Sequence, residues 1–429
     1  MSTTTDPQGI ETIDIAIVGG GIGGLATALA LHAKGIACTV FEAVEEVRPL
    51  GVGINLLPHS VRVLSNLGLQ PSLAQIGVET AELAFYNKHG QPIWSEPRGL
   101  AGGYAFPQFS IHRGRLQMIL FETASHRLPA GAIRTSHALS RFEEGDGFTT
   151  LHFVDRAGAP RPPVRARAVI GADGIHSVVR RTFFPYEGPA RFSGRMLWRA
   201  TTRAKPFLTG RSMIQAGHQD QKFVCYPIQQ VPDADGKVTI NWIAELTVPA
   251  GTMPERENWN KKVDKSVFRG PFARWTFGWL DIPALIDGAD AIFEFPMVDR
   301  DPLPRWSHGR ITLLGDAAHP MYPIGSNGAS QAILDGEAIT QELAVGDDPE
   351  AALRRYEERR LPPTARIVES NRRKGIDVML DIVEQRAPQG FTDLESVLPS
   401  DELEKIVGDY KKLVTQDRET LLKLAAASK

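Results

Sequence analysis

The sequence predicts an α/β fold, with parallel strands alternating with helices and a mostly antiparallel sheet inserted between them. Three observations carry the prediction. Apolar runs end in glycine-rich turns at three separated places, and each turn leads into a helical pattern. Residues of about 187–295 are rich in aromatics and in short alternating runs, as at 196–200, 223–226 and 239–243. The chain beyond about 345 is charged and helical. At 429 residues it can form two domains, or one large α/β body with an inserted layer.

The first turn is the most specific. Residues 13–18 are apolar and β-branched, as a central parallel strand should be, and Gly19, Gly21 and Gly24 then fit G-x-G-x-x-G. With Ile22 and Gly23 between them, these positions form the strand–helix turn of a Rossmann-like unit. The first glycine permits the tight turn, the second lets backbone approach a pyrophosphate, and the third lets helix and strand pack closely. Leu25, Ala28, Leu29 and His32 recur at helical spacing, and Gly35 suits the position after the helix end. The next strand ends at Glu42, close to the spacing expected of a carboxylate that takes ribose hydroxyls; an acid there argues against a 2′-phosphate.

A helix is expected over about 58–66, with Val61, Leu64 and Leu67 on one side and Gly68 as its stop. Residues 84–86 and 92–94, flanking Lys88, His89 and Gly90, predict a hairpin. Residues 110–116 return to a helix, and strands around 150–170 lead to the second turn. Pro362 and Pro363 are expected to break the tail, with Thr364 capping the next helix. The domain reading is discontinuous. Residues 1–80, 109–186 and 296–362 form the nucleotide-binding domain, 81–108 and 187–295 the inserted sheet, and 363–429 a C-terminal helical segment.

Composition excludes several classes. A net charge of −2 gives no reason to expect nucleic acid or an anionic membrane as partner. Cys38 and Cys225 lie in apolar strand-like runs, so buried thiols in a reducing compartment are expected rather than a disulfide. No CxxC or His/Cys cluster suggests a metal. The first ten residues are polar and no window reads as a membrane span, so a cytoplasmic location is expected.

The second turn, Gly171, Ala172, Asp173 and Gly174, closes an apolar strand with an acid. The third, Gly315 and Asp316 followed by Ala317, Ala318, His319 and Pro320, places an Asp where it can take a polyol hydroxyl. The loop through Pro323, Gly325, Asn327, Gly328 and Ala329 then opens a helix whose positive end would favour negative charge on a flavin pyrimidine. The three turns, in this order, indicate FAD held along its whole length.

On these motifs the chain resembles the single-component, group A FAD-dependent aromatic hydroxylases, the class that includes 4-hydroxybenzoate hydroxylase. The resemblance runs from about Ile13 to about Asn371. It is nearest to the phenazine-modifying branch, through 48–55, 94–99, 110–114, 226–228, 296–304 and 327–336. It implies that Glu42 binds the adenosine ribose and that Arg48 and Arg113 approach the ribose and pyrophosphate. Gly53 belongs to the cofactor site, Asp173 touches FAD and bears on NAD(P)H use, and Asp316 holds the ribitol or pyrophosphate. The 323–329 loop lies under the isoalloxazine. One departure is visible: the family loop often runs P-x-x-G-x-G, and here Gly325, Ser326, Asn327 and Gly328 shift the glycines. His319 is implied to be structural.

The implied cycle uses NADH or NADPH to reduce FAD and O₂ to give a flavin C4a-hydroperoxide, whose distal oxygen attacks an electron-rich ring. Water must be excluded, and the flavin swings between a reduction and a hydroxylation position. No second G-x-G-x-x-G is present, so NAD(P)H would bind transiently in a groove. Candidates for a general base are His218, Tyr226 and Tyr104, each with a plainer reading as loop or core. Trp198, Arg199, Tyr226, Tyr104, Pro296 and Pro323 are candidate pocket walls, and Arg199 could pair with a substrate carboxylate or sit in a surface ion pair. A monomer or homodimer is expected. A reductase or halogenase on the same fold, or an FAD-binding redox sensor, stays open beside the hydroxylase; the tryptophan-rich segment expected of halogenases is missing.

Overall fold

The computed structural model describes residues 4–5, 9–145, 147–252, 261–346, 348–413 and 422–423. Strand Glu11–Val18 is the hub of the first sheet. It pairs in parallel with Val164–Gly171 on one side and Cys38–Phe41 on the other, with Ile133–Arg134 beyond. Two antiparallel strands, Thr149–Val154 and Ala138–Glu144, extend the first side. Ile311–Leu313 pairs in parallel with the last three residues of Val164–Gly171. Helices Ile22–Ala33 and Pro349–Arg372 contact this sheet and Gly328–Leu343 packs on Ile22–Ala33, which keeps Ala16, Ile17, Val169 and Ile170 out of solvent. Burial on both faces is why these strands read as continuous apolar runs rather than alternating ones.

The second sheet runs in the order Lys262–Val263, Ile292–Asp299, Arg191–Ala204, Val238–Thr247, Gln221–Pro227, Ser212–His218, Glu82–Tyr86 and Pro92–Pro97. Only the contact between Ser212–His218 and Glu82–Tyr86 is parallel. Alternation sets two different faces. Trp198, Ala200, Cys225 and Trp242 pack under Phe268 and Phe272. Leu197, Val224, Tyr226, Ile243 and Phe295 face the opposite way, toward Tyr322 and Ile324 of the third motif's loop and the C-terminal helices.

Helix Pro58–Asn66 forms where expected, as does the hairpin of Glu82–Tyr86 with Pro92–Pro97. The prolines of the tail do not break it. Pro349–Arg372 is one helix with Pro362 and Pro363 inside. Proline keeps a helical φ but cannot donate to the preceding turn. Thr364, expected as a cap, instead lies inside the helix and donates through Oγ1 to Arg360 O at 2.8 Å. Leu353, Tyr356, Ile367 and Val368 bury one side of the helix along its length, and that tertiary packing overrides the local penalty. Gly375–Asp377, Val378–Arg386 and Ser400–Leu413 follow and cover the second sheet's inner face. Among the described residues no helix is long and apolar enough to cross a membrane.

His59, on Pro58–Asn66, is 3% exposed, and neither ring nitrogen has a partner among the described residues. Burial, aided by the nearby Arg360 and Arg62, pushes its pKa down to about 3. The unfolded chain takes up a proton near pH 6.5, whereas the folded chain resists it down to about pH 3. The stability conferred by a neutral His59 is therefore complete above about pH 6.5 and lost as pH falls toward 3, at about 1.4 kcal/mol per pH unit within that window. Urea unfolding of wild type and His59→Leu at pH 7, 6 and 5 should show the wild type weakening more steeply; parallel curves would refute this.

Candidate functional site

Three backbone hydrogen bonds place the three motifs side by side. Gly19 N–H donates to Phe41 O at 2.8 Å, Ala172 N–H to Val18 O at 2.8 Å, and Leu314 N–H to Gly171 O at 2.9 Å. The parallel register aligns Gly171 with both Val18 and Leu313. The turns after all three strands therefore open on the same sheet edge, at the carboxyl ends of parallel strands, where ligands of such sheets bind.

The first turn fits a dinucleotide. A Cβ on Gly24 would overlap the Gly19 carbonyl oxygen, so helix and strand approach as only glycine allows. A Cβ on Gly21 would meet nothing within 4 Å. Gly21 begins helix Ile22–Ala33, whose first-turn amides receive no side-chain cap. Open space over uncapped amides suits a pyrophosphate. A cavity of about 340 Å³ continues from there, lined by Gly19, Gly21, Glu42, Asp173, Gly174 and Val178. Gly23 packs on Leu314 and Ala332, joining the first motif to the third.

Glu42 accepts from Gly20 N–H at 2.7 Å and from Val44 N–H at 3.0 Å. Each oxygen keeps acceptor capacity for ribose hydroxyls. Asp173 accepts from Val178 N–H at 2.7 Å through Oδ2, while Oδ1 is out of solvent with no partner among the described residues. Burial pushes the Asp173 pKa up, against the pull of Ser177 and the Val178 amide. Asp316 is exposed. Desolvation by the surrounding protein raises its pKa, opposed by the charges of His319 and Arg113. Unpaired carboxylates beside uncapped amides match a cofactor with both polyol hydroxyls and phosphates. Helix Gly328–Leu343 likewise starts without a side-chain cap, and a Cβ on Gly328 would meet empty space. Ala329 follows in its first turn, and Pro323 is exposed at the start of the Ile324–Ser326 turn.

Arg48, Arg113 and Gly53 complete the set of expected cofactor residues. Arg48 is exposed and pairs with Glu46 at 2.7 Å. Arg113 is exposed at the start of Arg113–Arg127. Gly53 stands at the seam between the sheets: its N–H donates to Asn241 Oδ1 at 2.6 Å, and its carbonyl accepts from Arg199 Nη2 at 3.1 Å.

Several supporting side chains were invisible in the sequence pattern. Asp335 accepts from Gly315 N–H at 3.1 Å, His319 Nε2 at 2.6 Å and Arg360 Nε at 2.7 Å, so it fixes the third turn. Burial alone would raise its pKa, but His319 and Arg360 outweigh it and hold the carboxyl at about 2. Arg180, in the helix after the second motif, donates to the Ala317 and Ala318 carbonyls at 3.0 and 2.8 Å. Gln117 donates to Gly20 O at 3.0 Å. The signal was weak because each partner comes from another element.

The substrate-side candidates divide between two faces. Arg199 and Tyr226 share the inner face, since Arg199 pairs with Ile243, Ile243 with Val224, and Tyr226 with Asn241. Trp198 lies on the outer face, stacked on Phe268 with centroids 4.8 Å apart and bonded through Nε1 to Glu294 at 3.0 Å. Pro296 pairs with Met196 and lies on that outer side too. Period-two alternation forbids adjacent strand residues from lining one pocket. His218 is at the far end of its strand, 4.0 Å from Glu384 of helix Val378–Arg386. Tyr104 is half-buried in the loop after the Gly99–Gly102 turn. The structure therefore joins Arg199, Tyr226, Asn241 and Gly53, and leaves Trp198, Pro296, His218 and Tyr104 elsewhere.

Comparison with known proteins gives the family. Residues 12–371 match the family model described as "FAD binding domain". The chain is 45% identical over 365 residues to phenazine 1,6-dicarboxylic acid hydroxylase of Lysobacter antibioticus, covering 84% of this chain and 89% of that one. It is 34% identical over 369 residues to a 3-amino-4-hydroxybenzoate 2-monooxygenase of Streptomyces platensis, covering 84% and 87%. The structure of Klebsiella pneumoniae HpxO with FAD and uric acid has the same fold, with a TM-score of 0.70 at 23% identity over 95% of this chain and 97% of that one. The chain belongs to this family of FAD-dependent aromatic hydroxylases and is a flavin-dependent monooxygenase.

Gly21 and Gly24 should separate cofactor from packing. Gly24→Ala should lower apoprotein stability by about 1–3 kcal/mol through overpacking and also weaken FAD binding. Gly21→Ala should leave the apoprotein melting temperature unchanged and weaken FAD alone. Thermal melts and FAD fluorescence titrations read the two effects; tight FAD binding by Gly21→Ala would contradict the assignment.

Proposed function

We propose that this chain hydroxylates a small aromatic or N-heteroaromatic carboxylate, phenazine-carboxylate-like or hydroxybenzoate-like, using NAD(P)H and O₂. The observation that carries the reading is Arg199. Its Nε is out of solvent with no partner among the described residues, its Nη2 meets only the Gly53 carbonyl, and its guanidinium lies 5.9 Å from the Phe295 ring centroid. Among the described residues no carboxylate lies within ion-pair distance of it. Burial pushes the Arg199 pKa down, but a guanidinium stays charged at neutral pH. Glu245 acts on this guanidinium only through space, and a substrate carboxylate would complete it with charge-assisted hydrogen bonds.

When bound, FAD supplies reduction by NAD(P)H and activation of O₂ for transfer of one oxygen atom to the ring. The Gly19–Gly24 turn would hold its pyrophosphate, Glu42 its ribose, Asp316 its ribitol, and the start of Gly328–Leu343 its pyrimidine. Arg199 would fix the substrate carboxylate and so orient the ring. Tyr226 is 2% exposed, and burial raises its pKa against the pull of Arg199. A phenol kept neutral positions a substrate by hydrogen bonding and does not serve as a base at neutral pH. Leu197, Phe295 and Met297 on the same face, with Ile324 opposite, keep water from the reacting ring.

The test is a panel of phenazine carboxylates, hydroxybenzoates and hydroxypyridine carboxylates, each with its decarboxylated analogue, measuring NAD(P)H oxidation, product and H₂O₂. One carboxylate should accelerate oxidation and give a hydroxylated product with little peroxide. Arg199→Ala should raise KM for that carboxylate by about 10- to 100-fold, with FAD affinity retained and the decarboxylated analogue little affected. Equal losses on both compounds would remove Arg199 from the substrate site.

A further inference from the structure

The C-terminal helix Ser400–Leu413 lies beyond the 12–371 family match, yet it reaches the loop that opens helix Gly328–Leu343. Leu403, Val407 and Tyr410 fall at helical spacing and are buried against Tyr322, Ile324, Ile376 and Met379. Lys411 anchors the same turn, pairing with Glu96 and lying 5.7 Å from the Trp94 ring centroid.

Tyr410 meets the loop at its least relaxed point. Gly325 and Ser326 are both left-handed, at φ 68° and 59°. A serine there is strained, by about 1–3 kcal/mol, and persists only where its surroundings over-determine it. A Cβ on Gly325 would overlap the Tyr410 hydroxyl. Asn327 Nδ2 donates to that hydroxyl at 3.0 Å. Asn327 is fully buried, and its Oδ1 has no partner among the described residues. From the other side Asn371 donates to the Tyr322 and Ile324 carbonyls at 3.0 and 3.3 Å. Gly375 packs against the Tyr410 ring, where a Cβ would come 2.9 Å from Cε2.

We propose that Tyr410 is a positioning residue for the flavin: its hydroxyl holds Asn327 and the left-handed Gly325–Ser326 turn, and so sets where the first amides of helix Gly328–Leu343 stand. The proposal rests on the reading that the 323–329 loop faces the isoalloxazine. The shifted glycines of this loop, which depart from the usual P-x-x-G-x-G, have a physical cause here. Gly325 must be glycine because a tyrosine from the C-terminal helix occupies the space of its side chain.

The test compares full-length wild type, Tyr410→Phe and Tyr410→Ala, loaded with FAD and as apoprotein. Tyr410→Phe keeps the ring and removes one hydrogen bond. Its melting temperature should stay near wild type, while apoprotein hydrogen exchange across 323–329 accelerates about fivefold. The visible flavin band and the substrate-free flavin midpoint potential should shift, and the peroxide share of consumed NAD(P)H should rise. Tyr410→Ala should add a lower melting temperature. Unchanged exchange, spectrum and potential in Tyr410→Phe would overturn the proposal even if hydroxylation proceeds. If they change while no aromatic compound stimulates NAD(P)H oxidation by wild type, the substrate reading fails and this one stands.

Discussion

The hydrogen bonds from Ala172 to Val18 and from Leu314 to Gly171 join backbone from the two ends and the middle of the chain into one sheet edge. Every group argued to meet the cofactor is placed relative to that edge. A slip of one residue in Val164–Gly171 would turn its buried side chains to the opposite face and separate Asp173 from Gly19. Both faces of the sheet are buried, so such a slip would misfit apolar side chains against their neighbours on each side. The register is held by the core rather than by the turns it brings together.

Around this edge the protein uses buried polar groups as fasteners. Asp335 ties the third turn to helix Gly328–Leu343 and, through Arg360, to the long helix Pro349–Arg372. Arg180 ties the second motif to the third. Asn241 and Arg199 tie the second sheet to Gly53. In a low-dielectric setting such buried polar contacts fix geometry more than they add stability. Of the buried polar atoms without a partner among the described residues, Asp173 Oδ1 borders the cleft that a cofactor would fill, and Arg199 Nε and Asn327 Oδ1 belong to the proposed substrate face and flavin loop.

Much of this was legible in sequence where the signal is local. The G-x-G-x-x-G turn, Glu42 and helix Pro58–Asn66 are each defined within a few dozen residues by periodicity and glycine placement. The inserted sheet was legible from alternation, but that alternation also assigns Trp198 and Arg199 to opposite faces, which a list of pocket residues obscured. Pro362 and Pro363 misled because propensity is local and the buried side of Pro349–Arg372 is not. Asp335 and Tyr410 could not be read from the pattern: their partners at His319 and Asn327 are joined by the fold, 16 and 83 residues away.

Three turns separated by most of the chain should make one FAD site. Hydrogen–deuterium exchange of the full-length protein, with and without one equivalent of FAD, tests it most directly. Simultaneous protection of 19–24, 172–178 and 315–329 is expected, at a stoichiometry of one FAD per chain. Protection confined to 19–24, with the other two segments exchanging as in the apoprotein, would contradict it.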